Sequence, residues 1–201
     1  DLDALQTYSA KVKFNNVSIA AVDSLPGLTN MNGLMEANEG GGSLSLDNQA
    51  SEVNLAKIFT QPLKLDTLQA QLVWKKTDNK LELNIENFVF ANPDTSGEAS
   101  GTLSAQANAP GLVDIKTRFS GINADNIYRY IPIKAGDGLR NWLQASLKSG
   151  RAENITLDVK GNLAEFPFEN EKQGQFRIGA KIVNADLDYA ERWPKAENLQ
   201  G

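Results

Sequence analysis

Apolar and polar residues alternate with a period of two along most of this chain. Leu68, Ala70, Leu72 and Trp74 are separated by Gln69, Gln71 and Val73, and Leu81, Leu83 and Ile85 by Glu82 and Asn84. The alternation returns through Val113, Ile115 and Phe119, through Ile155, Leu157 and Val159, and through Phe176, Ile178, Ala180 and Ile182. Successive strand side chains point to opposite faces, so each segment predicts a strand with one apolar and one polar face. That is the signature of antiparallel sheet, because strands of a parallel sheet are covered on both faces and read as unbroken apolar runs. In the last long strand the apolar phase shifts between Ile182 and Val183, and Leu187 and Tyr189 take it over, which predicts a bulge or bend.

Turn chemistry separates the strands. Thr77-Asp78-Asn79 predicts a hairpin, and Asn92-Pro93-Asp94 and Ala109-Pro110-Gly111 predict two further turns. Gly40-Gly41-Gly42 predicts a flexible turn or bulge; no strand-to-helix context or Lys-Ser/Thr makes it a phosphate loop. Helix signals are few. Asp125 to Ile131 fits a short helical turn that ends before Pro132. Asp137 is placed to cap a helix running to about Lys148, with Gly150 just past its end and Leu139, Trp142, Leu143 and Leu147 on one stripe. Leu55 to Phe59 fits either a short helix or a connection packed on the sheet.

Composition narrows the chemistry. The chain has 201 residues, a net charge of −5 and a pI near 4.9. That length suits one large domain or two small ones. The acidic balance speaks against nucleic acid and against an anionic membrane surface as partners. There is no Cys and no His, so disulfides, thiolate metal sites and the commonest general base are all missing. No apolar run approaches the ~20 residues of a membrane-spanning helix. The chain reads as part of a longer protein, with its targeting signals outside these residues.

Several residues invite a functional reading and a plainer one. Asp186 and Asp188 share a strand face, as an acid–base pair would, or as two solvated carboxylates. Glu165, Glu169, Asn170 and Glu171 read as exposed loop residues. Tyr128, Tyr130 and Trp142 suit an aromatic ligand site, or an apolar plug between helices and sheet. Phe166-Pro167-Phe168 reads as an extended anchor with both rings on one side, and Trp193-Pro194 as an apolar anchor before a turn. Asn16-Val17-Ser18 and Asn154-Ile155-Thr156 match the glycosylation pattern by coincidence. A shift of 168 positions lays Phe14–Gly33 on Ile182–Gly201, matching Asn16 with Asn184, Pro26 with Pro194, Asn30 with Asn198 and Gly33 with Gly201. Such an echo predicts one full repeat and the opening of the next. The apolar faces themselves fit a closed core between two sheets or an open concavity, since both require alternation.

A resemblance favours the second. Tyr130-Ile131-Pro132, Leu139-Arg140-Asn141-Trp142-Leu143, Gly150-Arg151, Leu157, Gly161, Leu163, Phe166-Pro167-Phe168, Gly174-Gln175-Phe176, Leu187, Tyr189 and Trp193-Pro194 resemble the YhdP family of AsmA-like, TamB-related bacterial envelope proteins, over about residues 122–201. The resemblance implies a mainly β fold: a long, twisted antiparallel sheet curled into a groove of the repeating β-groove type, with a small helical insert. On this reading residues 1–121 are the β-rich part of one repeat, 122–150 the insert, and 151–201 strands and the start of the next repeat, together one continuous domain. It implies non-enzymatic phospholipid transport between inner and outer membrane, through an envelope-spanning groove that shields acyl chains and supports the outer-membrane barrier. The groove candidates are Leu68, Leu72, Trp74, Leu81, Leu83, Ile85, Val113, Ile115, Ile155, Leu157, Val159, Phe176 and Ile178. No catalytic residue, cofactor or metal is implied. The implied partners are phospholipid, the inner membrane through an anchor outside these residues, and other envelope proteins; the place is the periplasm of a Gram-negative bacterium. Two other readings stand beside it: a structural or chaperone-like module in outer-membrane protein assembly that uses an exposed sheet edge, and a carboxylate-based glycan enzyme, which requires two facing acids with raised pKa.

Overall fold

In the computed structural model the described residues are 7–22, 25–77, 79–106, 109–166, 168–188 and 195–201. They form one ten-stranded antiparallel meander in which every strand pairs with its neighbours in sequence. The strands are β1 (Ser9–Ile19), β2 (Gly27–Asn38), β3 (Gly41–Asn54), β4 (Leu63–Thr77), β5 (Lys80–Ala91), β6 (Ser96–Gln106), β7 (Ala109–Asn123), β8 (Leu147–Asn162), β9 (Gly174–Leu187) and β10 (Ala196–Leu199). β1 and β10 are the two edges, so the sheet is not closed. At ~3.4 Å per residue the longer strands reach about 50 Å.

The turns follow the sequence with one exception. Thr77 pairs with Lys80 across the β4–β5 hairpin; Asp78 lies outside the described residues. The Asn92 side-chain oxygen accepts from the backbone N–H groups of Asp94, at 3.0 Å, and Thr95, at 2.8 Å, making the expected Asx turn. The glycine run splits: Glu39 and Gly40 turn, while Gly41 and Gly42 open β3. Ala109-Pro110-Gly111 is not a turn. Ala109 already pairs with Gln106, and a proline near the start of a strand removes no essential ladder bond.

Apart from a 3-10 turn at Leu163–Glu165, the described helical structure occupies 124–146, between β7 and β8. A 3-10 helix spans Ala124–Tyr130, as the Asp125–Ile131 signal predicts, a second spans Ile133–Ala135, and α1 covers Asp137–Ser146. Two expectations for α1 fail. Gly136, with φ of 86°, occupies the cap position, while Asp137 is inside the helix and paired with Arg140. The helix also stops at Ser146, because Leu147 pairs with Leu187 and begins β8; Gly150 belongs to that strand. The apolar stripe is only partly the buried side, with Leu143 and Leu147 half-buried. Leu139 and Trp142 are 43% and 42% exposed, whereas Arg140 is buried, donating to the Pro132 carbonyl at 3.0 Å. Leu55 to Phe59 is a single turn, with Ile58 and Phe59 N–H bonded to Leu55 O, and Ile58 O accepts from Ile133 N at 2.8 Å. The insert is thereby tied to the β3–β4 connection.

A line of phase breaks crosses the sheet. Left-handed φ values occur at Asn16 (53°), Asn30 (58°), Ala50 (51°), Asn154 (50°), Asn184 (49°) and Asn198 (54°). Asn tolerates this region at little cost, which accounts for Asn16 and Asn154 without glycosylation. In β9 the predicted bulge is present, with its left-handed residue at Asn184. At these breaks residues three apart, not two, share a face: Phe14 and Val17, Leu28 and Met31, Asn48 and Ser51, Leu65 and Leu68, Ile85 and Phe88. Bulges bend a strand and raise its twist, so a row of them bends the whole sheet.

Candidate functional site: one apolar sheet face

Cross-strand register places the apolar residues of successive strands on one face. Val12 and Phe14 of β1 face Met35 and Gly33, which face Leu44 and Leu46, then Leu72 and Ala70. Leu72 and Trp74 oppose Ile85 and Leu83, and Leu68 opposes Phe90. Leu83 continues to Leu103 and Val113, and Ile85 through Gly101 to Ile115. Ile115 opposes Val159, Phe119 opposes Ile155, and Val159 and Leu157 oppose Phe176 and Ile178. Every groove candidate named from the sequence, Leu81 included through its pairing with Ala105, lies on this face. The opposite face carries cross-strand charge pairs such as Glu98–Arg118 and Asp114–Lys160.

Burial along the apolar face is graded. Met31 and Leu68 are 2% and 1% exposed, while Ile178 is 63% exposed. Among the described residues no second sheet covers the face, so a flat layer would leave Met31 and Leu68 open to water. They are covered by Phe14, Leu28, Leu46, Val53, Leu63, Phe88 and Phe90 from β1 to β5, which requires the sheet to curl towards its apolar side. Glycines let large side chains lie flat inside the curve. A Cβ on Gly42 would meet the Trp74 ring, and one on Gly174 would come within 2.7 Å of the Phe168 ring.

Each end has a covering element. At the β7–β8 end the insert roofs an apolar cavity of about 290 Å³ between Ile127, Tyr130 and Ile131 above and Phe119, Ile155 and Ile182 below. A polar latch holds the insert: the Tyr130 hydroxyl accepts from Asn92 Nδ2 at 2.9 Å and donates to Asp94 Oδ2 at 3.1 Å, and Arg129 reaches the same carboxylate at 3.1 Å. Burial pushes the Tyr130 phenol up to about 12, and the Asp94 charge acts in the same direction. Tyr130 thus lines the cavity, Arg129 lies over the Tyr128 ring, and Trp142 faces outwards on α1. At the other end Phe166, Phe168 and Phe176 meet edge to face, with centroids 5.6 and 5.3 Å apart. Phe168 has φ of 64° and its N–H bonds Glu165 O, so this segment is a turn rather than the extended strand expected. Pro167, Tyr189, Trp193 and Pro194 lie outside the described residues.

The acidic candidates do not converge. Asp186 accepts from Ser149 Oγ at 2.6 Å and from the Asn198 N–H at 3.0 Å, which hold its carboxyl below the usual range, the hydroxyl bond more strongly. Asp188 pairs instead with Lys195 at 3.5 Å. Glu165, Glu169, Asn170 and Glu171 are exposed. Among the described residues no three Asp, Glu, His or Cys side chains come together as metal ligands, and no helix is long and apolar enough to cross a membrane.

The alternation read from the sequence does not include Phe14, Met31, Met35, Leu46, Leu65, Phe88 and Phe90, which the structure places on this face. A period-two template loses Phe14, Met31, Leu65 and Phe88 where the chain takes a three-residue step. The signal that finds them is an apolar pair three apart flanking a polar or small residue inside an otherwise alternating run.

An open antiparallel sheet, curled about one continuous apolar face and roofed at one end by a short helical insert, defines this chain as a β-protein built around an apolar trough. Residues 1–201 match the family described as YhdP protein, and the chain belongs to that family. The match takes in the whole chain, where the motifs alone pointed to about residues 122–201. The chain is similar to the intermembrane phospholipid transporter YhdP of Escherichia coli (strain K12), at 24% identity over 176 residues, which is 87% of this chain and 14% of that relative. No solved structure matches it.

Proposed function

We propose that this chain is a non-enzymatic segment of a phospholipid conduit, in which the apolar face shields acyl chains while the headgroup stays in water. The observation that carries the reading is the continuity of that face from β1 to β9, with no second sheet over it among the described residues. At ~0.8 kcal/mol per buried CH₂, moving two acyl chains of ordinary length from a bilayer into water costs more than ~20 kcal/mol. A trough of Leu, Ile, Val and Phe side chains removes most of that cost and needs no catalytic group. The name of the similar Escherichia coli protein supports the same cargo.

In this reading the protein works in the periplasm of a Gram-negative bacterium, tethered to the inner membrane by a segment other than these residues, and contributes to the outer-membrane barrier. The trough continues through repeats of the 168-residue echo, so that β9 and β10 begin a second unit equivalent to β1 and β2. Native mass spectrometry and lipid extraction of protein purified from bacterial membranes test it. Bound phospholipid, displaced when Ile178→Glu puts charge on the open face, is the expected result. A lipid-free protein, or lipid retained unchanged in that variant, sinks the reading.

A further inference from the structure

Two buried polar side chains interrupt the floor of the trough. Asn48 and Ser51, 2% and 3% exposed, both lie on the apolar face because the left-handed residue between them, Ala50, breaks the alternation of β3. Asn48 is paired with Leu68 and Ser51 with Leu65, and Met31 completes the same cluster. The Asn48 amide is held in one orientation: its Oδ1 accepts from the Asn32 backbone N–H and, at 3.3 Å, from Asn32 Nδ2. A backbone N–H only donates, so the oxygen must face it and Nδ2 must point away. That Nδ2 and the Ser51 Oγ are the buried side-chain atoms without a hydrogen-bond partner among the described residues. An unpaired buried donor is costly, and its persistence calls for an explanation.

Both orphans have hydrogens to give, and they sit among Leu and Met. The group that complements them is an acceptor without hydrogens of its own, carried by a largely apolar molecule. An ester carbonyl has this character, and so does a fatty-acid carboxylate. We propose that Asn48 and Ser51 form a hydrogen-bonding step in the trough that takes an ester carbonyl of a glycerolipid, and so fixes where along the trough the glycerol end halts. The inference rests on the lipid-conduit reading above. Asn48 and Ser51 are buried beside the cluster of Met31, Leu65 and Leu68; lipid entering the curve displaces these side chains and supplies the acceptor.

Competition binding to the purified protein tests it with three probes: a diacyl phosphatidylglycerol, its dialkyl ether analogue lacking both carbonyls, and oleate. The expected result is a preference for the ester over the ether of about three- to tenfold, the range of one or two net hydrogen bonds, lost in Ser51→Ala and in Asn48→Leu. Ser51→Ala leaves the Asn32 bonds intact, so it reads the step without disturbing the strand. Equal binding of ester and ether by the wild type overturns the step but leaves the conduit standing, as does a preference that survives both variants with a raised melting temperature, the mark of a purely structural orphan. Oleate binding that falls in both variants without any ester preference overturns the ester assignment in favour of a free carboxylate. Binding of none of the probes overturns the step together with the conduit.

Discussion

Asn30 and Asn198 stand 168 positions apart and are held alike. Their φ values are 58° and 54°. Each donates its backbone N–H to the side chain twelve residues earlier, Ser18 Oγ at 3.2 Å and Asp186 Oδ1 at 3.0 Å. The same shift lays Ile19, the end of β1, on Leu187, the end of β9. Two strand pairs at opposite edges of one sheet therefore share their kink and the hydrogen bond that sets it, which is what the proposed repeat requires.

Asp186 differs from Ser18 in carrying charge, and this gives a pH signature. Its folded pKa is depressed below the ordinary 3.8 by Ser149 and the Asn198 N–H. A depressed carboxylate contributes stability that is present above the unfolded pKa and lost as pH falls through the folded one. Protection of the Asn198 amide in hydrogen exchange should drop below about pH 4 in the wild type. In Asp186→Ser it should be flat across that window, and an unchanged slope there would count against the assignment.

Tyr130 gives the opposite sign. Its pKa rises from 10.0 to about 12, so the latch contributes stability that is complete below pH 10 and lost as pH rises through 12. Absorbance titration should show one phenol ionising late, and that phase should vanish in Tyr130→Phe. The substitution also leaves Asn92 and Asp94 without their hydroxyl partner, a loss of about 1 kcal/mol concentrated in faster exchange of the insert amides.

Leu68 and Ile178 share the apolar face but differ in cover, and should separate stability from binding. Leu68→Ala opens a cavity under the curl and should lower stability by about 2–5 kcal/mol, or several degrees in melting temperature. Ile178→Glu, at an exposed position, should change stability by no more than about 0.5 kcal/mol while displacing bound lipid. Chemical denaturation alongside lipid extraction reads both; equal destabilisation by the two would mean the face is closed.

Gly174→Ala probes the aromatic end of the trough. Its Cβ would press on Phe168 at 2.7 Å and on the Lys160 carbonyl at 2.5 Å, so the ring or the β8–β9 pairing must move. Overpacking of this kind costs about 1–3 kcal/mol. Ring-current shifts of Phe166 and Phe176 should change with it; unaltered spectra would show that the ring is not seated over the glycine.

Much of the strand plan was legible. The runs at Leu68–Trp74, Leu81–Ile85 and Ile155–Val159 are strands with the predicted faces, because period two is a local property of each strand. The helical stripe of α1 misled, since Leu139 and Trp142 are exposed and Arg140 is buried. In so short a helix, anchoring Arg140 to Asp137 and the Pro132 carbonyl outweighs apolar burial. The orphan donors at Asn48 and Ser51 were not legible, because an Asn and a Ser three apart read as polar-face residues until Ala50 is known to be left-handed.

By itself the sequence determined that the protein is antiparallel β with an amphipathic sheet, a short helical insert after β7, and no His or Cys chemistry. It also carried the Asn residues whose tolerance of left-handed φ permits the bends. Only the tertiary structure decided that the apolar sides of successive strands join into one face, that no second sheet among the described residues closes over it, and that the sheet curls enough to bury Met31 and Leu68. The reason is physical: alternation is demanded equally by a sandwich and by an open trough. The choice between them lies in strand register and in three-residue steps that add up across the sheet, and no single strand contains either.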